Sequence, residues 1–371
     1  MYYEHMFWKR RVYLDYAAGV TANASSPHAE GRAAKRVLED ARTTIARLVE
    51  VQSDDVIFTS GATEANALAI LGLLKAGDHA LYLSSAHASI VENIKLAGTR
   101  GVVVEELPIK GMRVDGDKLK TMLRPETKLV AMEAVCGETG VIWNTREVKQ
   151  AIGQKVLLHV DASQAPITEK ITRAHFGADM MTLDASKVGV VRGIGALVAH
   201  RTISLTPIYE GGGQERELRS GSQTPELARA FAAALGAAAN AREAFRTRAK
   251  RDRESLVERA TKSIPHLCIN EGPKDIHRQA PNILNLSLPG RDTDYLVALL
   301  DEEGFAVSSR SACETDSEQG SRAVYALTSD EVRARATLRV SWGAAVSSRD
   351  LSRFARALAR AVAFVDKRAE R

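Results

Sequence analysis

The sequence predicts an α/β protein with a mostly parallel central sheet covered by helices, plus a smaller α+β domain. Three observations predict it. Between residues 56 and 199, short apolar runs alternate with helical stretches, as in parallel sheets whose crossovers are helices. A long alanine- and arginine-rich tract from Pro225 to about Ile264 reads as a single helix leading out of that region. At 371 residues the chain also exceeds one ordinary core. The expected boundaries are 13–248 for the large domain, and 1–12 with 249–371 for the small one.

In chain order, Tyr13-Leu14-Asp15-Tyr16 is a short apolar stretch running into a loop. Ser26-Pro27 predicts a helix start, with serine as cap and proline at the first position. Ala34, Val37, Leu38, Ala41, Ile45 and Leu48 give that helix its core stripe. Val56-Ile57-Phe58 is a strand ending at Thr59-Ser60-Gly61-Ala62-Thr63-Glu64, with a helix beyond it through Leu74. Further strands are expected at 80–83, 102–107, 128–135, 156–160, 179–183 and 195–199, and helices at 89–97, 117–123 and 146–152. After the long helix come a strand at 282–288, a helix at 293–303 stopped by Gly304, a strand at 337–341 and a helix at 349–365.

Hydrophobic residues make up 45% and charged residues 26%, the balance of an ordinary globular protein. The net charge of +5 is concentrated around Arg242–Arg259 and near the C-terminus. There it alternates with Ala, Glu and Leu, as on solvated helix faces. No nucleic-acid motif or aromatic-interleaved basic patch accompanies it, so no direct nucleic-acid partner is expected. Cys136, Cys268 and Cys313 form no CxxC pair, which argues against a disulfide framework and for a reducing compartment. No signal-peptide core and no apolar run of membrane-spanning length is read, so the cytoplasm is the expected location, with no membrane partner and no metal site.

Ligands of such sheets bind beyond the carboxyl ends of the strands, and that is where the candidate residues fall. Lys187 follows the apolar run 180–183 in a small polar turn. It is expected to lie close to backbone and partly shielded, where desolvation makes an amine a usable nucleophile toward an aldehyde cofactor; a plain surface lysine is the other reading. Ser60-Gly61-Ala62-Thr63 joins a strand to a helix, so its backbone N–H groups suit an anion, or simply a capped helix. Asp161 ends the run Leu157-Leu158-His159-Val160. A carboxylate there needs a partner such as a pyridinium N–H, or else it caps a helix. His87 follows a strand and either stacks on a planar ligand and moves protons or is an ordinary loop histidine. The segment from Gly211 to Ser222 is rich in glycine and arginine, a source of phosphate donors or a flexible loop. Ser308 to Asp316 is small and polar, which predicts an exposed loop where the Cys313 thiol is a nucleophile or a surface cysteine without a role; Cys136 and Cys268 are expected to be buried.

Taken in order, these segments resemble the cysteine desulfurases, pyridoxal-phosphate enzymes of the class V aminotransferase-like group. The resemblance runs from Tyr13-Leu14-Asp15-Tyr16 to Leu338-Arg339-Val340-Ser341-Trp342-Gly343. It rests on Thr59-Ser60-Gly61-Ala62-Thr63-Glu64, Glu138-Thr139-Gly140, Asp161-Ala162-Ser163-Gln164, the lysine before Arg192-Gly193-Ile194-Gly195, Gly211-Gly212-Gly213-Gln214-Glu215-Arg216, Arg219-Ser220-Gly221-Ser222 and Ser311-Ala312-Cys313. It implies fold type I, a homodimer and one pyridoxal 5'-phosphate per subunit, with 13–248 as the cofactor-binding domain and the Cys313 loop on the small one. It further implies that Lys187 is the Schiff-base lysine and that Asp161 pairs with the pyridine nitrogen. Gln164 would meet the ring hydroxyl, and His87 would stack on the ring. Ala62 and Thr63 would form the phosphate cup, with Ser222 arriving from the other subunit. Arg339 would grip the substrate carboxylate with its bidentate fork. Cys313 would take sulfur from L-cysteine as a persulfide, leaving L-alanine, and pass it to an acceptor protein in iron–sulfur cluster assembly or tRNA thiolation.

Three cofactor positions depart from the family pattern. Gly137 stands where an asparagine is usual, Ser186 where a histidine precedes the lysine, and Asp184 where the phosphate cup has serine or threonine; Arg310 also replaces a frequent glycine. A carboxylate touching a phosphate is repelled by about 1 kcal/mol or more in water, so Asp184 turns away, shifts the phosphate or weakens cofactor binding. A selenocysteine lyase or another class V aminotransferase or lyase shares the pattern, and a degenerate paralogue serving as a sulfur-carrier-binding scaffold is the non-enzymatic alternative.

Overall fold

The structure, a computed structural model, describes residues 12–189, 191–272, 278–309 and 320–369. Cys313 and its neighbours Arg310, Ser311 and Ala312 lie outside the described residues.

The strands are β1 (Val56–Thr59), β2 (His79–Tyr82), β3 (Val103–Glu106), β4 (Ile109–Lys110), β5 (Arg113–Val114), β6 (Thr127–Glu133), β7 (Leu157–Asp161), β8 (Met180–Asp184), β9 (Gly195–Ala199), β10 (Cys268–Ile269), β11 (Ile283–Ser287) and β12 (Thr337–Ser341). The helices are α1 (Ala29–Val49), α2 (Ala62–Leu71), α3 (Ala88–Thr99), α4 (Gly116–Met122), α5 (Thr145–Ile152), α6 (Arg173–Phe176), α7 (Pro225–Ser263), α8 (Thr293–Glu302), α9 (Arg322–Thr328), α10 (Glu331–Arg335) and α11 (Ser348–Ala369).

Among the described residues, seven strands form the main sheet in the order β1-β9-β8-β7-β6-β2-β3. The pairs from β8 to β3 are parallel, while β9 runs antiparallel to both β8 and β1. The central strands β6, β7 and β8 are almost wholly buried, as expected of a sheet covered on both faces. Because β1 and β8 both run against β9, their carboxyl ends flank the same residue: Thr59 and Asp184 each lie opposite Gly195. A Cβ on Gly195 would come within 2.7 Å of the Leu183 carbonyl oxygen and 2.8 Å of Gly61. Only glycine lets the turn after β1 close onto the end of β8, and the site depends on that closeness.

Helix α1 starts later than Ser26-Pro27 suggested. His28 is the N-cap, and its side chain accepts the Gly31 N–H. The Ser26 hydroxyl is diverted instead to Asp15, at 2.7 Å, a side-chain bond that competes with capping.

Two apolar cores are present. One fills the space around the main sheet and includes Ile45, Ile57, Leu81, Ile90, Val130, Met181 and Phe231. The other joins the second half of α7 to β11, β12, α8 and α11 through residues such as Leu256, Leu286, Leu300, Leu338 and Leu358. Helix α7 contributes to both, with Phe231 fully buried in the first and Leu256 in the second. Each such side chain contributes about 1.5–3 kcal/mol.

Candidate active site

The segments that follow β2, β6, β7 and β8 meet at one cleft. A cavity of about 140 Å³ there is lined by His87, Glu133, Cys136, Gly137, Gln164, Lys187, Arg322 and Arg339, among others. Four of the sequence-predicted residues therefore line one cavity: His87, Gln164, Lys187 and Arg339. A larger hollow of about 650 Å³, lined by Arg42, Gln223 and part of the glycine-rich loop, including Glu215 and Arg216, holds none of Lys187, Asp161, His87, Gln164 and Arg339.

Lys187 ends a 3₁₀ turn, Ala185–Lys187, directly after β8. It is exposed, so the expected shielding by its own chain is not found. The 3₁₀ turn rotates the side chain out of the sheet plane into the cleft, while Ala185 takes the buried position.

Asp161 is 7% exposed at the end of β7. Its Oδ1 accepts the Ser163 N–H at 2.9 Å, and its Oδ2 accepts the Asn66 side-chain amide at 2.7 Å. It caps no helix. A carboxylate accepts about four hydrogen bonds, so capacity remains for a further donor. The same Asn66 amide nitrogen donates to the Ser89 hydroxyl at 2.8 Å. The amide must face this way, because its oxygen turned toward the Asp161 carboxylate would repel it.

This chain of bonds fixes the state of His87. The Ser89 hydroxyl, already an acceptor from Asn66, gives its proton to His87 Nδ1 at 2.8 Å; the Ser89 N–H points to the same nitrogen at 3.2 Å. With Nδ1 an acceptor, neutral His87 carries its proton on Nε2. Asp161 and His87 are thus held in register by Asn66 and Ser89, two residues that the sequence reading did not single out.

Two more buried groups lie near the floor. Glu133, 4% exposed, has its carboxyl pushed up to about 8 by burial, helped by the neighbouring Asp161 carboxylate. Burial and Glu133 together push the Cys136 thiol up, so it stays a neutral, inert side chain. Cys268, expected to be buried, is only half-buried. His159, below Asp161 on β7, is fully buried and neutral: burial brings it down to about 4, and its Nε2 meets the Thr182 hydroxyl at 3.0 Å. A charged residue inside the run Leu129-Val130-Ala131-Met132-Glu133-Ala134-Val135 was the available signal for Glu133.

Gly137 leaves the room that Gln164 fills, since a Cβ there would sit 3.0 Å from the Gln164 amide nitrogen. The Gly137 carbonyl also accepts from Arg339 at 3.4 Å, and Ser308 Oγ accepts from the same guanidinium at 3.3 Å. Arg339, half-buried on β12, is thereby turned toward the cleft from the second sheet.

The predicted phosphate cup lies at the start of α2. Gly61, with φ 153°, is its N-cap, and Thr63 is exposed in its first turn. The Ala62 N–H already has a partner, Asp184 Oδ2 at 2.8 Å. The other Asp184 oxygen accepts the Ser186 N–H at 2.7 Å and the Ser186 hydroxyl at 2.6 Å. Asp184 does not turn away. In the same turn Glu64 accepts the Ser60 N–H at 2.5 Å, pairs with Arg219 at 3.1 Å and binds the Tyr209 hydroxyl. Burial alone would raise the Glu64 carboxyl, but these donors outweigh it and hold it below the ordinary range. Ser222 is not brought to the cleft within this chain; it is exposed and accepts from the Asn23 amide at 3.3 Å.

Comparison with known proteins gives the family and the fold. A family model described as aminotransferase class-V matches residues 10–354. The chain is 32% identical to cysteine desulfurase IscS 1 of Archaeoglobus fulgidus over 347 residues, covering 92% of this chain and 89% of that protein. Among solved structures, DndA from Streptomyces lividans superposes with a TM-score of 0.72 at 31% identity, covering 88% of this chain and 92% of that one. A NifS-like protein superposes with a TM-score of 0.84 over 92% of both chains; at 23% identity that likeness carries the fold.

Proposed function

The chain belongs to the class-V aminotransferase family and within it to the cysteine desulfurases, and from that membership we propose that its cleft takes sulfur from L-cysteine, leaves L-alanine and passes the sulfur to an acceptor. It is a pyridoxal-phosphate-dependent enzyme of fold type I. The observation that carries the reading is the convergence of Lys187, His87, Gln164 and Arg339 on one cavity beside Asp161.

Most of the residues present fit the cofactor. Asp161 keeps acceptor capacity for a pyridinium N–H, Gln164 reaches the cavity beside Gly137, His87 offers a ring at its wall, and Lys187 presents an exposed amine. Ala62 and Thr63 lie where the phosphate is expected, although Asp184 already holds the Ala62 N–H. When bound, pyridoxal phosphate supplies an electron sink for charge that develops at the substrate α-carbon.

The chain's own groups do the rest. Arg339, steadied by Gly137 and Ser308, grips the substrate carboxylate with its planar fork. Asp161 keeps the pyridine nitrogen protonated. The Lys187 amine moves the proton at the α-carbon, a step suited to a basic group within reach of it. His87, with its proton on Nε2, is a donor toward the cleft. Cys313, outside the described residues, receives sulfur on the strength of the Ser311-Ala312-Cys313 motif. Its thiolate bonds to the substrate sulfur, the carbon–sulfur bond breaks, and the carbon takes up a proton to become alanine.

The finer parts of the reading are a cytoplasmic homodimer in which Ser222 of one subunit completes the other's phosphate site. The sulfur then goes to a protein of iron–sulfur cluster assembly or tRNA thiolation. No helix among the described residues is long and apolar enough to cross a membrane.

The test is spectroscopic. Purified protein titrated with pyridoxal phosphate should develop a visible absorption band that L-cysteine perturbs while alanine accumulates. The Lys187→Ala variant should show neither the band nor alanine. A wild-type protein that stays colourless would end the enzymatic reading.

A further inference from the structure

The start of α2 is the place where a phosphate would be held, and the chain has put a carboxylate of its own there. A helix N-terminus offers unpaired N–H groups and the positive end of the helix dipole, which together favour an anion. Asp184 Oδ2 takes the Ala62 N–H at 2.8 Å. Its other oxygen is held by the Ser186 N–H at 2.7 Å and the Ser186 hydroxyl at 2.6 Å. Both oxygens are therefore engaged, and swinging the carboxylate out would strip three donors of their partner.

The placement is built into the sheet. Thr59 and Asp184 both lie opposite Gly195, so the turn after β1 and the end of β8 cannot part without breaking the register of β9. Gly61 leaves just enough room, since a Cβ there would meet Asp184 Oδ2 at 3.3 Å. Nor does the surrounding charge favour a second anion. Glu64 adds another carboxylate in the same turn, and Arg219 is engaged with it at 3.1 Å.

We propose that Asp184 is a cofactor-specificity residue: its carboxylate fills the anion position at the start of α2, so the cofactor's phosphate adds little to binding and phosphorylated and unphosphorylated pyridoxal are held with similar affinity. This rests on the cofactor reading above and deepens it. Aldehyde capture then depends on Lys187, Asp161, His87 and Gln164, which recognise the ring, with the phosphate left outside the N–H groups that Asp184 occupies.

The experiment measures dissociation constants of the full chain, freed of cofactor, for pyridoxal phosphate and for pyridoxal, by absorption titration. It compares wild type with Asp184→Ser and with Asp184→Asn, which keeps the size and an acceptor but loses the charge. In wild type the two constants should differ by less than about tenfold. Both variants should bind pyridoxal phosphate about tenfold or more tighter, while pyridoxal changes by less than about twofold, tenfold being about 1.4 kcal/mol. A wild-type preference for the phosphorylated form that neither substitution alters would overturn the proposal with the cofactor reading intact. So would equal tightening of both aldehydes. Failure of wild type and both variants to bind either aldehyde through Lys187 would instead remove the cofactor reading, and this proposal with it.

Discussion

Glu133 shows how the fold sets the charge of a single residue near the cleft. Its carboxyl is pushed up to about 8 from an ordinary value of 4.5, first by burial. Between those values the folded chain keeps a proton that the unfolded chain releases, so this group's stabilisation is complete below pH 4.5 and is lost as pH rises through 8. The loss is at most about 1.4 kcal/mol per pH unit. His159 works the other way at lower pH, but equally in any Glu133 variant. The Glu133→Gln protein should therefore gain on wild type in melting temperature as pH is raised from 5 to 8; parallel curves would show that Glu133 is ionised throughout. At this scale the sequence was legible where a polar residue ends or closely follows an apolar strand: Asp161 ends β7, and His87 and Lys187 stand in the turns after β2 and β8. It was silent on Asn66 and Ser89, because ordinary helix polar residues reveal nothing until a neighbouring strand brings them a carboxylate and an imidazole. At Asp184 the conflict with a phosphate was visible, but its partner Ala62 lies 122 residues away and meets it only across Gly195.

Among elements, one contact that ties the glycine-rich loop to the rest of the main-sheet region is a buried ion pair. Arg42 on α1 grips both Glu215 oxygens at 2.7 Å, stacks over Phe58 and donates to the Val56 carbonyl at 2.6 Å. Glu215 also accepts the Phe58 N–H at 2.8 Å and the Gln223 amide at 2.5 Å. These bonds hold Glu215, Arg216 and Glu217 at φ values of 48°, 62° and 63°, a left-handed run that costs side-chain-bearing residues about 1–2 kcal/mol each. Arg42→Ala strands a buried carboxylate, so urea unfolding should show a loss of about 3–5 kcal/mol. A loss below about 1 kcal/mol would mean that water replaces the guanidinium. Arg42→Lys should recover only part of the loss, because an ammonium cannot make both bonds in one plane. The strands and long helices were legible from periodicity, whereas the antiparallel course of β9 was not. An apolar run of five residues reads the same in either direction, and only the short return after Lys187 selects the hairpin-like pairing with β8.

For the whole molecule, two apolar cores are bridged by α7, and the cleft draws Lys187, His87 and Gln164 from the first region and Arg339 from the second. Arg339 and Lys187 are 152 residues apart (339 − 187): Arg339 lies on β12 of the second sheet and Lys187 in the turn that leaves β8 of the first. Ser222, on the loop that Arg42 anchors, is exposed and accepts from the Asn23 amide rather than lining the cavity of its own chain. The central claim, that this cleft strips sulfur from L-cysteine and hands it to Cys313, is tested most directly by the mass of the protein after a single turnover with L-cysteine. The account predicts one added sulfur atom on the peptide containing Cys313, formed in step with one alanine and absent in Lys187→Ala. Alanine formed without protein-bound sulfur, or the same added sulfur in Lys187→Ala, would contradict it.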